Sequence, residues 1–325
     1  MKNKFLNPSI KRTIFIIIVL CFPLIYAKFY DFSSSYLERY ENLNNFLSYD
    51  YLIKLIVQCN IYAILAISVN IITGFCGQLT LGHAAFWAIG AYSSAIFAIS
   101  YKLPFIINFI FAGFVSMAFG VLIGIPALRL SGDYLAITTM AFGEITRLVI
   151  MNLEITGGAL GLKDIPEIGA WFSLTDPKSF YYLSIIILLL IYYLTLRVIK
   201  SKVGRTFIAI REDEIACMSL GINISRYKLA AFAMAAFYAG LAGSFYAHME
   251  GYIHPDQFQF MDSVYILAMA VLGGLGSLKG SIIGAFIITF LKEILRDFQS
   301  WQMVIFGVVL IMIINFRPRG IMKKN

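Results

Sequence analysis

Continuous apolar runs, about ten of them between Thr13 and Phe316, leave this chain very few folds to choose from. Crossing roughly 30 Å of hydrocarbon takes about 20 helical residues, and backbone surrounded by lipid must satisfy its own hydrogen bonds, which only helices and closed barrels achieve. The runs do not alternate apolar with polar residues, so barrel strands are excluded. The fold class expected is an all-α polytopic membrane protein with about ten transmembrane helices, some short or broken. Composition agrees: of 325 residues 60% are hydrophobic and 14% charged. The mean hydropathy of +0.80 lies beyond the range of soluble domains.

The spans read from the sequence are 13–27, 51–72, 84–100, 104–128, 134–151, 180–199, 229–248, 263–278, 281–295 and 302–316. With the N-terminus inside, seventeen of the 26 lysines and arginines fall on the inner side, including Lys2, Lys4, Lys11 and Arg12 before the first span. The other nine, among them Lys54, Arg147, Lys292 and Arg296, fall toward the outside with acids such as Asp164, Asp256 and Asp262. The bias expected of cytoplasmic loops therefore places both termini in the cytoplasm. It also explains the net charge of +8 without nucleic acid. The basic start and Ala27 allow a signal peptide, but the cleavage pattern is poor, so 13–27 is read as an uncleaved first span. Cys21, Cys59, Cys76 and Cys217 have no CxxC or CxxxC spacing and read as packing or lipid-facing residues, not a metal site or disulfide framework.

Two outer loops are long, 28–50 and 152–179, and a third, 249–262, carries His254, Pro255 and Asp256. The first reads as a simple connection. The Gly- and Pro-rich 152–179 suits a folded surface facing something outside. On the inner side Lys279–Gly280 is so short a link that the eighth and ninth spans must form a hairpin.

No G-x-x-x-x-G-K-[ST] occurs, and GGLGSLKGS at Gly273 to Ser281 lacks the glycine before Lys279, so the chain is expected to bind no nucleotide and no other cofactor. The glycines there suit close helix packing and a hairpin turn. Within the membrane the ionisable candidates are Glu144 with Arg147, three apart on one helical face, which read as a structural ion pair facing the bundle. Lys54 lies near a span end and can snorkel. Between two apolar runs, NIITGFCGQLTLGHAAFWAIGAYSSA places Gly77, Gln78, Thr80, Gly82 and His83 at the inner side. Two readings stay open: a lining of the translocation route, shared with Gly273, Gly274 and Gly276, or a tight helix-to-helix turn with His83 as a hydrogen-bonded packing residue.

Between the sixth and seventh spans lies one strongly charged segment, 200–228. In it Ile208, Ile215, Met218 and Ile222 make one apolar stripe on an expected amphipathic helix from Gly204 to Gly221, with Arg205, Arg211, Glu212, Asp213 and Glu214 on the remainder. Gly221 supplies a helix stop. Mixed charge argues against anionic lipid as the partner, which favours lysine excess, and for a protein of matching charge.

The motifs GFCGQLTLGHAAFWAIGAY, LRLSGDYLAITTMAFGEITRL, TGGALGL, GRTFIAIREDEIACMSLGIN, RYKLAAFAMAAFYAGLAGSFYAH, VLGGLGSLKGSIIGA and FRPRGI together resemble the branched-chain amino acid ABC importer permease family, in particular its M-type subunit. The resemblance covers 70–321, in order, within a single permease domain at 1–325. It implies the ABC importer permease fold, a second permease subunit in a heterodimer, two cytoplasmic ATP-binding subunits, an external substrate-binding protein and a place in the bacterial cytoplasmic (inner) membrane. Gly204 to Gly221 would be the coupling helix, with Glu214, Ala216 and Gly221 approximating the EAA-type loop, and 152–179 and 249–262 would face the binding protein. The chain itself would be no enzyme. Importers of urea, short amides or other amino acids share very similar sequences, and a stand-alone secondary carrier or channel is the remaining alternative.

Overall fold

The computed structural model describes residues 48–127, 132–166 and 177–296, with 320–322 and a few isolated positions besides. Most of the expected first span at 13–27, nearly all of the 28–50 loop, most of 167–176, Cys21 and most of the tenth span at 302–316 lie outside the described residues.

Among the described residues the regular elements are helices, with one isolated bridge between Leu162 and Ile253. In order come α1 (Tyr49–Asn70), a single π turn (Ile71–Phe75), α2 (His83–Tyr101), α3 (Phe105–Ala127), α4 (Asp133–Asn152) and α5 (Pro177–Lys200). Then follow α6 (Lys202–Glu212), α7 (Glu214–Ser219), α8 (Ile224–Glu250), α9 (Phe260–Gly273) and α10 (Leu278–Ile294). Six of these, α1 with its π turn, α2 to α5 and α8, are long and apolar enough to cross a membrane. At 1.5 Å per residue α9 and α10 reach only about 21 and 25 Å, short of the roughly 30 Å of hydrocarbon, in keeping with the short spans expected at 263–278 and 281–295.

The eighth and ninth expected spans do form a hairpin, but its turn is at 274–277 and not at Lys279–Gly280. Gly274 and Gly276 take backbone angles that side chains avoid (φ 117° and 82°), and Ser277 then caps α10 by accepting from the Gly280 amide. The helices approach so closely that a Cβ on Gly273 would sit 2.0 Å from the Gly280 carbonyl oxygen. Residues 320–322 close this corner: the Ile321 and Met322 amides donate to the Leu272 and Gly273 carbonyls.

At the centre α8 crosses α2 and α3, while α1 packs against α5, α8 and α10. Small residues make the crossing possible. A Cβ on Gly90 would lie 2.4 Å from Gly240 Cα, and one on Gly243 2.2 Å from the Trp87 carbonyl oxygen. Several polar groups inside the bundle pair across helices, which offsets the cost of taking them from water: Asn60 donates to Ser184 Oγ, Ser116 to the Phe86 carbonyl, and Ser94 meets both Ser244 and His248. The outer faces of α3, α4 and α5 are apolar and exposed, with Leu122, Ile137 and Ile186 on them. Cys59, Cys76 and Cys217 are free and buried.

The bundle has a proximal end, carrying α6 and α7, and a distal end. Distally, segments expected as separate loops join. Leu162 and Ile253 exchange both backbone hydrogen bonds, the Ile165 amide donates to Gly251, Tyr252 Oη donates to the Leu160 carbonyl, and His248 Nδ1 meets the Pro166 carbonyl.

Candidate functional site

The charged segment folds as two helices where one was expected. At Asp213 the chain is extended (φ −158°, ψ 109°), and its carboxylate accepts from the Ile215 and Ala216 amides to start α7. That break resets the helical register, so the expected stripe does not lie on one buried face. Gly204, Phe207, Ile210 and Cys217 are the buried residues, whereas Ile215 is 73% and Leu220 80% exposed, with Met218 beside them. Gly204 is buried at the α5 corner, where a Cβ would strike Ile199 backbone, and Gly221 (φ 78°) ends the segment as expected. Arg205, Glu212, Asp213 and Glu214 are exposed. Glu214 also reaches back to the buried Lys228 at 2.5 Å, tying α7 to α8.

Arg211 points the other way. Its guanidinium donates to the Gly74 carbonyl at 2.5 Å through one nitrogen and holds Glu212 with another. Its aliphatic stem fills the space over Gly77, where a Cβ would come 2.6 Å from Arg211 Cγ, and its head lies beside Gly276. Gly74 belongs to the π turn, whose Cys76 and Gln78 amides reach back to the Ile71 and Ile72 carbonyls. Such turns break helical regularity and cluster at working sites.

Asn70 joins that turn to the hairpin. Its side-chain nitrogen donates to Ser281 Oγ and the Ser277 carbonyl, and its oxygen accepts from the Gly276 amide at 2.8 Å. One side chain therefore links α1, its π turn and the 274–277 turn, and Arg211 adds α6 to the same joint. Sequence reading missed Asn70 and Lys228. The signal was present: a lone carboxamide in the apolar run SVNIITG, and a lysine directly before the span expected at 229–248.

The other expected residues gather around this joint. Gln78, Thr80 and His83 are buried; His83 Nε2 meets Ser68 Oγ at 2.6 Å, the hydrogen-bonded packing arrangement. Gly82 sits against the Thr139 carbonyl of α4. The Gln78 carboxamide and the Thr80 hydroxyl have no hydrogen-bond partner among the described residues. Gly273 is consumed by hairpin packing and Gly274 by the corner with Gly320.

The Glu144–Arg147 pair forms at 2.5 Å on the half-buried side of α4, with the Arg147 side chain 19% and the Glu144 side chain 44% exposed. Arg147 also bonds Asp256 at 3.0 Å, so the pair anchors the distal 255–258 turn to α4. Lys54 is likewise paired, with Glu250 at 2.9 Å.

The family described as the permease component of branched-chain amino acid transport systems matches residues 51–314. The high-affinity branched-chain amino acid transport system permease proteins LivM of Salmonella typhimurium and Escherichia coli are each 38% identical over 287 residues, 81% of this chain and 68% of theirs. The permease protein LivH of Escherichia coli is 26% identical over 281 residues, 80% of this chain and 91% of its own. No solved structure matches the chain. A helical membrane bundle whose charged segment is bonded into a glycine-rich break, together with these likenesses, establishes that the chain belongs to the branched-chain amino acid transport permease family.

Proposed function

We propose that the chain is the M-type membrane subunit of an ATP-driven importer of leucine, isoleucine and valine. The observation that carries the reading is the Arg211–Gly74 bond, which fastens an exposed charged element to the break in α1. A separate ATPase docks on α6 and α7, engaging Arg205, Glu212, Asp213 and the exposed apolar Ile215, Met218 and Leu220. ATP binding and hydrolysis there shift this element, and Arg211 passes the shift to the joint held by Asn70. The residues from Gly77 to His83 with Gly276 then move between a closed packing and a lining of the translocation route, which gives Gln78 and Thr80 the partners they otherwise lack.

The remaining architecture follows from the same reading. The single permease domain spans 1–325 with ten spans, the first at 13–27 and the tenth at 302–316. Both termini and the proximal end face the cytoplasm of a bacterium, across its inner membrane. The joined distal segments from 152–179 and 249–262 receive an external binding protein. A LivH-like chain is the second permease, two ATP-binding subunits complete the assembly, and this chain holds no cofactor and performs no covalent chemistry.

The test is uptake in vesicles containing the chain, its second permease and two ATPases, with the binding protein supplied outside. Leucine, isoleucine and valine should accumulate only with internal ATP and binding protein. Uptake driven by an ion gradient without ATPases makes the chain a secondary carrier and overturns the reading. ATP-driven uptake of urea or amides in place of leucine keeps the mechanism and replaces the cargo.

A further inference from the structure

A cavity of about 310 Å³ opens at the distal end between α1, α2, α8, α9 and α10. That volume is at the small end of the range for sites that enclose small molecules. Its walls are aromatic: Tyr62 and Trp87 have ring centroids 5.8 Å apart, Trp87 and Tyr246 5.0 Å. Asp262 from α9 and Lys292 from α10 face each other in it with their charged atoms 3.7 Å apart, while the second acid of the lining, Asp256, is held by Arg147. Two neighbouring Lys/Arg pairs at this end close to hydrogen-bond distance, Lys54–Glu250 at 2.9 Å and Arg147–Asp256 at 3.0 Å. The 3.7 Å separation is too long for a direct hydrogen bond.

Both charges are held in place from outside the pair. Asp262 accepts from the Gln259 amide, and Lys292 lies 4.8 Å from the ring centre of Tyr265. Trp87, in the wall, has a buried indole N–H with no acceptor among the described residues. Opposite charges inside a membrane protein are costly, and their usual return is a functional site.

We propose that this cavity is a low-affinity way-station for a zwitterionic α-amino acid, deepening the import reading on which it rests. Asp262 receives the α-ammonium, Lys292 and the Trp87 N–H receive the carboxylate, and the apolar side chain lies against Tyr62 and Tyr246. The amino acid must displace interactions that Asp262 and Lys292 already have with each other and, for Lys292, with the Tyr265 ring, so binding stays weak and release easy. Urea and neutral amides carry no charges to divide the pair and gain nothing from it. The mouth is bordered by Asp256 and Gln257, on the 255–258 turn where the binding protein would deliver its cargo.

The experiment measures equilibrium binding of radiolabelled L-leucine to the purified assembly of both permeases and ATPases, without ATP or binding protein. Millimolar binding is expected, displaced by unlabelled leucine and at least about tenfold less well by 4-methylpentanoate, which lacks the amine, and by 3-methylbutylamine, which lacks the carboxylate. Asp262→Asn and Lys292→Met should each weaken binding by about tenfold or more in assemblies that still contain the ATPases. Absence of leucine binding, equal competition by either analogue, or unchanged binding in both variants overturns the site. The analogue competition uses the wild-type protein and decides the matter even if a variant fails to assemble. ATP-driven leucine uptake by the same assembly tests the import reading separately: uptake without this binding removes only the way-station, while uptake of a different cargo removes the reading beneath it.

Discussion

Replacing Arg211 by alanine should uncouple ATP hydrolysis from transport while leaving the ATPases attached. The guanidinium–Gly74 bond is charge-assisted and partly buried, a class worth about 1.5–3 kcal/mol when its partner is left behind. The contact with Glu212, which is 62% exposed, adds little. The lost stem over Gly77 opens space at a surface corner and contributes less than a core cavity does. A net loss of about 2 kcal/mol in the link corresponds to about a 30-fold fall in the fraction of ATPase movements passed to the joint. The assay is leucine transported per ATP hydrolysed in vesicles holding the full assembly, with co-purification of the ATPases measured in parallel. Arg211→Lys keeps one donor for Gly74 but cannot hold Glu212 in the same fork, so it should fall between the two. An unchanged transport ratio in Arg211→Ala refutes the link. Loss of the ATPases in proportion to loss of transport refutes it too, because Arg211 would then be a docking residue.

Three further outcomes follow from the packing. Gly243→Ala drives a methyl group to within 2.2 Å of the Trp87 carbonyl oxygen, so α8 and α2 must separate; the melting temperature in detergent should drop by an amount reflecting about 1–3 kcal/mol or more. Asp213→Ala removes the cap from the six-residue α7 and should cost about 1 kcal/mol locally, read as faster amide exchange at Ile215 and Ala216 with the melting temperature unchanged. Ile215→Ser combined with Leu220→Ser alters only exposed positions; thermal stability should hold while the ATPases no longer co-purify, and retained association would show the ATPase to dock elsewhere.

Helix existence was legible in this chain because hydrophobicity alone identifies segments that lipid will accept. The ends were less so. The true hairpin turn depends on Gly274 and Gly276 adopting positive φ and on Ser277 capping, and a glycine-rich string offers several such places. The charged segment was found, but its break at Asp213 was not, since an aspartate within a helical pattern reads equally as a surface residue or a cap. Arg211 stood out by charge, and its direction did not, because its partner is a backbone carbonyl 137 positions away. Asn70 and the Asp262–Lys292 pair share that difficulty. Each is ordinary in its own run and acquires meaning only when distant helices meet.

The corner closed by residues 320–322 bears on how the molecule is made. The Leu272 and Gly273 carbonyls belong to the last turn of α9, and the amides that satisfy them come from Ile321 and Met322. A ribosome has passed the end of α9 by nearly fifty residues before those amides exist. Until then the α9–α10 corner is an unfinished seam beside Gly276 and Asn70, the very joint to which Arg211 is fastened. The insertion machinery therefore handles α9 and α10 well before the amides that close their corner are made, so a chain interrupted between residues 295 and 320 would carry every central helix and still leave that corner open.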